Sequence, residues 1–168
     1  MKWKNTHKKL NVVGDILIRG LQDTLRLQRH NATGRLSNSF KKDRKRNALT
    51  LNVITNRKYW KIVNNGKAAF KPNLGEIFKW VNAKGIKGSG IGQMALAKRI
   101  AKRIQEKGIP SKPYVVWTEG NNLQRTNFAG VTKEKKHNQV VNQIQGGVVS
   151  DVFQMVKKSI RENATNIK

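Results

Sequence analysis

Apolar residues recur at helical spacing early in the chain. Val13, Ile16, Leu17, Gly20, Leu21, Thr24 and Leu25 form one stripe between Leu10 and Arg29, with Arg19, Gln22, Asp23, Arg26 and Arg29 on the other side. This predicts an amphipathic helix of about five turns, preceded by a basic arm over residues 1–9. After Asn31 the period changes. Leu36, Asn38 and Phe40 share a face at period two, and Leu49, Leu51 and Val53 alternate with polar neighbours. The two segments predict a β-hairpin with Lys41, Lys42, Arg44, Lys45 and Arg46 at or near its tip.

Helical spacing returns at Tyr59, Ile62 and Val63 and is closed by Asn65-Gly66. A second short helix follows Pro72, with Leu74, Ile77, Phe78 and Val81 inward, and stops at Lys84-Gly85. A third runs from Gln93 to Lys107 with Leu96, Ala97, Ile100, Ala101 and Ile104 inward; Gly108 supplies a left-handed stop and Pro110 blocks continuation. Pro113 to Trp117 reads as a short strand, and residues 118–137 as a long polar loop or arm. Val141, Ile144, Val148, Val152, Met155 or Val156, and Ile160 trace a terminal helix, in which Gly146-Gly147 leaves open a hinge or two shorter helices. The expectation is a single α+β domain over residues 1–168: an N-terminal amphipathic helix, a small antiparallel sheet with a basic hairpin, central helices and a long C-terminal helix.

Composition narrows the function. The 168 residues are 37% hydrophobic, enough for a modest core. No apolar run reaches the roughly 18 residues of a membrane span. The run after Lys8-Lys9 is broken by Asn11, Gly14 and Asp15, which argues against a signal peptide. Without cysteine, disulfides, thiolate catalysis and zinc–thiolate sites are excluded. The chain therefore reads as soluble and intracellular when made. Lys and Arg number 35 against 9 Asp and Glu, a formal charge of +26. The excess belongs to the whole chain, with 20 basic and 4 acidic residues in 1–84 and 15 and 5 in 85–168. Such a surface repels itself until nucleic acid or an acidic protein neutralises it. The 41–46 cluster is one candidate contact. The face formed by Lys98, Arg99, Lys102 and Arg103 is another, because its like charges at i,i+4 disfavour the isolated helix.

Catalytic chemistry finds no constellation. The glycines at 85, 88, 90 and 92 lack the Gly-Lys-Ser/Thr ending of a phosphate-binding loop and read as a hinge. Of His7, His30 and His137 only His137 has a carboxylate at helical spacing, Glu134, a single pair that falls short of a metal site, and the nine acids form no close pair. No cofactor is implied, and the chain reads as a binding or structural protein rather than an enzyme.

One set of motifs is more specific. Thr33-Gly34-x-Leu36-x-x-Ser39-Phe40, following an amphipathic helix, resembles the Thr-Gly-x-Leu-x-x-Ser-Ile signature of the tail-completion (minor tail, neck-associated) proteins of tailed bacteriophages. Tyr59-Trp60-x-x-Val63-Asn64-x-Gly66 is similar to that family's Tyr-Ala-x-x-Val-Glu-x-Gly block, with Trp60 for a small residue and Asn64 for the acid; Lys67 stands where Thr is common. The helix from Ala97 to Ile104 and the block ending in Pro113-Tyr114 are similar to later parts of many members.

The resemblance spans roughly residues 10–117. It implies a structural virion protein that forms or completes a ring at the head–tail connector, neck or top of the tail and keeps the DNA path continuous. Its partners would be other neck, tail and connector proteins and further copies of itself, with non-specific DNA contact and no membrane, after assembly in the bacterial host cytoplasm. Thr33, Gly34, Leu36, Ser39, Tyr59, Val63, Gly66, Pro113 and Tyr114 would then be structural positions. The alternative class is a sequence-independent nucleic-acid-binding protein, ribosome-associated or DNA-packaging.

Overall fold

The computed structural model describes residues 3–28, 30, 33–45, 48–86, 92–109, 115–118, 121–124 and 127–165. In chain order they form α1 (Lys4–Leu27), a 3-10 turn (Ser37–Ser39), β1 (Lys41–Asp43), β2 (Asn52–Ile54), α2 (Trp60–Asn65), α3 (Leu74–Ala83), α4 (Gln93–Lys107), β3 (Val115–Thr118), β4 (Asn121–Gln124) and α5 (Phe128–Thr165). The architecture is α+β, with a long helix at each end. Backbone contacts group the chain into two compact units: Met1–Gly20 with Phe40–Ile54 and Thr132–Lys168, and Leu21–Ser39 with Thr55–Val131.

In the first unit α1 and α5 run antiparallel. Asn5 and Thr6 meet Asp151, Lys9 meets Gln143, and the Thr132 hydroxyl donates to the Gly20 carbonyl at 3.3 Å. Two glycines permit the approach. A Cβ on Gly147 would stand 2.9 Å from Thr6 Cα, and one on Gly20 would stand 2.8 Å from Thr132 Cγ2. Leu10 and Val13 of α1 are buried. The hairpin pairs Lys41 with Ile54, Lys42 with Val53 and Asp43 with Asn52.

Three expectations for this unit are corrected. Residues 4–9 are helix rather than an arm, because the carboxylate of Asp151 takes up N–H groups that a helix start leaves unpaired. The first strand begins at Lys41 rather than near Leu36, so Lys41 and Lys42 lie on the ladder and Arg44 and Lys45 in the connection. The terminal helix is one continuous element of 38 residues that starts at Phe128, so 128–137 are not loop. Gly146-Gly147 does not interrupt it.

In the second unit α3 packs on α4, and Val81 of α3 and Ala97 of α4 are fully buried. The Asn73 side chain accepts the Glu76 N–H at 3.2 Å and caps α3. Gly108 ends α4 at φ 71, where Lys67 and Ile109 exchange backbone hydrogen bonds of 2.9 and 2.7 Å. A side chain at Gly108 would strike the Lys67 carbonyl. The strand expected to end at Trp117 forms as β3, with Val115 pairing Gln124 and Thr118 pairing Asn121. Its partner β4 lies in the segment expected to be loop.

Candidate interaction surfaces

The motif residues build a turn. Gly34 takes φ 70, a conformation costly for any residue with a Cβ. Its carbonyl accepts the Asn38 N–H at 2.9 Å and the Ser37 hydroxyl at 3.0 Å. The Ser39 hydroxyl donates to the Leu36 carbonyl at 2.7 Å and also meets the Thr55 hydroxyl. Leu36 is buried, Phe40 is half-buried and Thr33 is exposed. The Gln22 side chain of α1 donates to the Ser37 carbonyl at 3.0 Å, which ties the turn to the helix before it. The serines thus serve backbone satisfaction, and that use of their hydroxyls replaces the strand expected over 36–40.

The second block also has a geometric role. Gly66 stops α2 at φ 73, its N–H bonding the Ile62 carbonyl at 2.9 Å. Val63 is half-buried, whereas Tyr59, expected on the same helical face, precedes the helix and is 41% exposed. Partial burial pushes the Tyr59 phenol up, against the opposing pull of Arg57 and Arg35. Asn64 is buried and holds the start of α5. Its side-chain oxygen accepts the Ala129 N–H at 2.9 Å and its carbonyl accepts the Asn127 N–H at 2.6 Å. Asn127, at φ 57, caps the same helix by accepting the Gly130 N–H at 3.1 Å. Phe128 between them is almost fully buried. An oxygen acceptor facing a helix N-terminus is the electrostatically favoured arrangement, and an acid at position 64 would provide the same acceptor.

The basic candidates divide by what they touch. Lys42 bonds both oxygens of Asp15 at 2.9 and 3.0 Å, and its stem lies over Gly14. Arg44 donates to the His7 carbonyl at 2.9 Å. These two cations hold the hairpin to α1. Lys41 and Lys45 are exposed, as are Lys98, Arg99, Lys102 and Arg103 on α4, where Lys102 reaches Glu106 at 3.9 Å. Arg46, Pro113 and Tyr114 lie outside the described residues.

Asp151 is the residue that sequence reasoning missed. Its two oxygens accept from the N–H and side chains of Asn5 and Thr6 over 2.8–3.0 Å. Burial pushes this carboxyl up, but the four donors outweigh it and hold it at about 2. Its neighbours in sequence, Ser150 and Val152, give no hint of this role. Among the described residues no group of His, Asp or Glu side chains could hold a metal, and no helix is long and apolar enough to cross a membrane.

A family model described as "Bacteriophage HK97-gp10, putative tail-component" matches residues 4–66. Over these residues the chain is similar to a phage tail-component family. The HK97-gp10-like segment begins where α1 begins and ends at Gly66, the residue that stops α2. It contains the glycine turn, the hairpin and the Asn64 anchor, while α3, α4 and the block at 113–114 lie beyond it. No curated protein and no solved structure shows a significant match to the chain.

Proposed function

We propose that this chain is a structural virion protein of a tailed bacteriophage that forms or completes a ring at the neck or the top of the tail, where the DNA passes. The observation that carries the reading is the family match over α1, the glycine turn, the basic hairpin and α2, whose members are described as tail components. The charge accords with it. A protomer of +26 gains from neighbours or DNA that offset its self-repulsion, and the exposed cations of α4 can meet them. A ring also needs unlike faces on each protomer, since head-to-tail contacts close by rotation. The work is mechanical: adapting one ring to the next while the DNA path stays continuous, without catalysis.

Purified particles carrying a gold-labelled chain test this directly. Label at the head–tail junction supports the proposal, and particles without label refute it. The charge favours one other reading, a sequence-independent nucleic-acid-binding protein. A strongly salt-dependent gel shift with short duplexes, for a chain that is absent from particles, would favour that reading instead.

A further inference from the structure

The C-terminal part of α5 carries an exposed apolar face. Val149, Val152, Phe153, Val156 and Ile160 are 66, 42, 64, 52 and 63% exposed. At 3.6 residues per turn they fall within an arc of about 100°. An arc of that width is the stripe by which a helix normally meets a core. Here four of the five lie past Asp151, which bonds Asn5 and Thr6 of α1, on a stretch where residues 152–162 are exposed except for Met155. Lys157 and Arg161 follow one edge of the stripe, and Lys158 lies on the opposite side with Glu162 at 3.4 Å.

We infer that this segment is a docking helix for an acidic protein whose surface offers an apolar groove rimmed by Asp and Glu. The inference rests on the reading of the chain as one component of a larger assembly and names one surface by which it joins. Charge complementarity selects the occupant. The chain itself offers little complement: of its 9 acids against 35 Lys and Arg, Asp151 is buried and Asp15, Glu76, Glu106 and Glu162 each face a lysine. At this face a second copy would set its own cations against Lys157 and Arg161, so contacts between copies in a ring fall to other surfaces. An anionic bilayer fits less well. Helices that lie in that interface use Trp, Phe and Leu on the apolar face, whereas three of these five residues are valines. Short, β-branched side chains with one stiff χ1 match defined protein pockets.

The test places a photo-crosslinker in the full-length chain as Val156→p-benzoylphenylalanine, made in infected host cells and irradiated there. The expected product is an adduct to a different protein, with the crosslinked peptide in an apolar groove bordered by Asp and Glu. Phe153→Glu should reduce it at least about tenfold, while Phe153→Leu leaves most of it, as for an anchor in a pocket. Phe153 is exposed, so unchanged thermal unfolding of both variants is expected. Adducts only to a second copy, to phospholipid or to a surface without acids, or no adduct at all, would overturn the inference. Immunoblotting of purified particles from the same cells tests the tail-component reading separately, since a chain missing from particles can still crosslink in the cell.

Discussion

Asp151 and Thr6 are 145 positions apart in sequence, yet one carboxylate oxygen of Asp151 accepts both the N–H and the hydroxyl of Thr6 at 2.8 Å. The other oxygen serves Asn5 in the same way. The last helix of the chain thus caps the first, and the cap fixes where α1 starts. Because the folded carboxyl is held at about 2, below its ordinary 3.8, its stabilising effect is complete above about pH 4 and is lost as pH falls toward 2. Urea unfolding of the parent and of Asp151→Asn across pH 2–6 should show a gap in midpoint near neutrality that closes with acid. A gap independent of pH would mean that the charge of Asp151 does not act through this cap.

Asn64 should behave as an acceptor, whatever the charge. Asn64→Asp is expected to unfold within about 1 kcal/mol of the parent, because a carboxylate oxygen can take the Ala129 N–H and faces the helix N-terminus favourably. Asn64→Leu should cost about 1–3 kcal/mol by leaving that buried donor unpaired. Denaturant titrations of both variants measure this, and equal losses would show that the residue matters for its shape alone.

Adjacent glycines in α5 should respond in opposite directions. Gly146 has open space where a Cβ would go, so Gly146→Ala should stabilise by about 0.5–1 kcal/mol through helix propensity. Gly147→Ala places a methyl against the Thr6 backbone and should destabilise, despite the same gain in propensity. Thermal unfolding of the pair separates propensity from packing.

Leu36→Ala should cost about 2–4 kcal/mol, as for a buried leucine whose site relaxes only in part. Its 6% exposure and the bonds on either side of it make collapse of the turn difficult. A loss near zero in urea would place Leu36 outside the core.

The basic hairpin calls for two experiments rather than one. Lys42→Gln removes an ion pair with Asp15 that is partly exposed on both sides, and should cost at most about 1 kcal/mol of stability. Lys41→Gln with Lys45→Gln changes exposed cations only and should leave unfolding unaltered. If the hairpin meets DNA, the double variant should flatten the salt dependence of a duplex gel shift. An unchanged slope would assign these cations to solvent or to a protein neighbour.

Much of this architecture could be read from local pattern. The helices ending at Asn65, Ala83 and Lys107 follow from apolar spacing and from stop signals that act within a few residues, as does the stretch from Leu10 to Leu27. Such signals are local because a backbone that needs positive φ selects glycine wherever it stands. The family motif was equally legible, since its hydroxyls and carbonyls bond one another within the turn. Tertiary structure alone decided the rest. Residues 4–9 became helix through a carboxylate at position 151, α5 was anchored by Asn64, and β4 was paired from a segment without alternation. Packing also reassigned side chains of one type. Lys42 and Arg44 turned back onto α1 while Lys41 stayed in solvent, and Val152, Val156 and Ile160 kept a core-like spacing but remained exposed. Periodicity shows that a helix has an apolar face; whether anything covers that face depends on what the rest of the chain brings there.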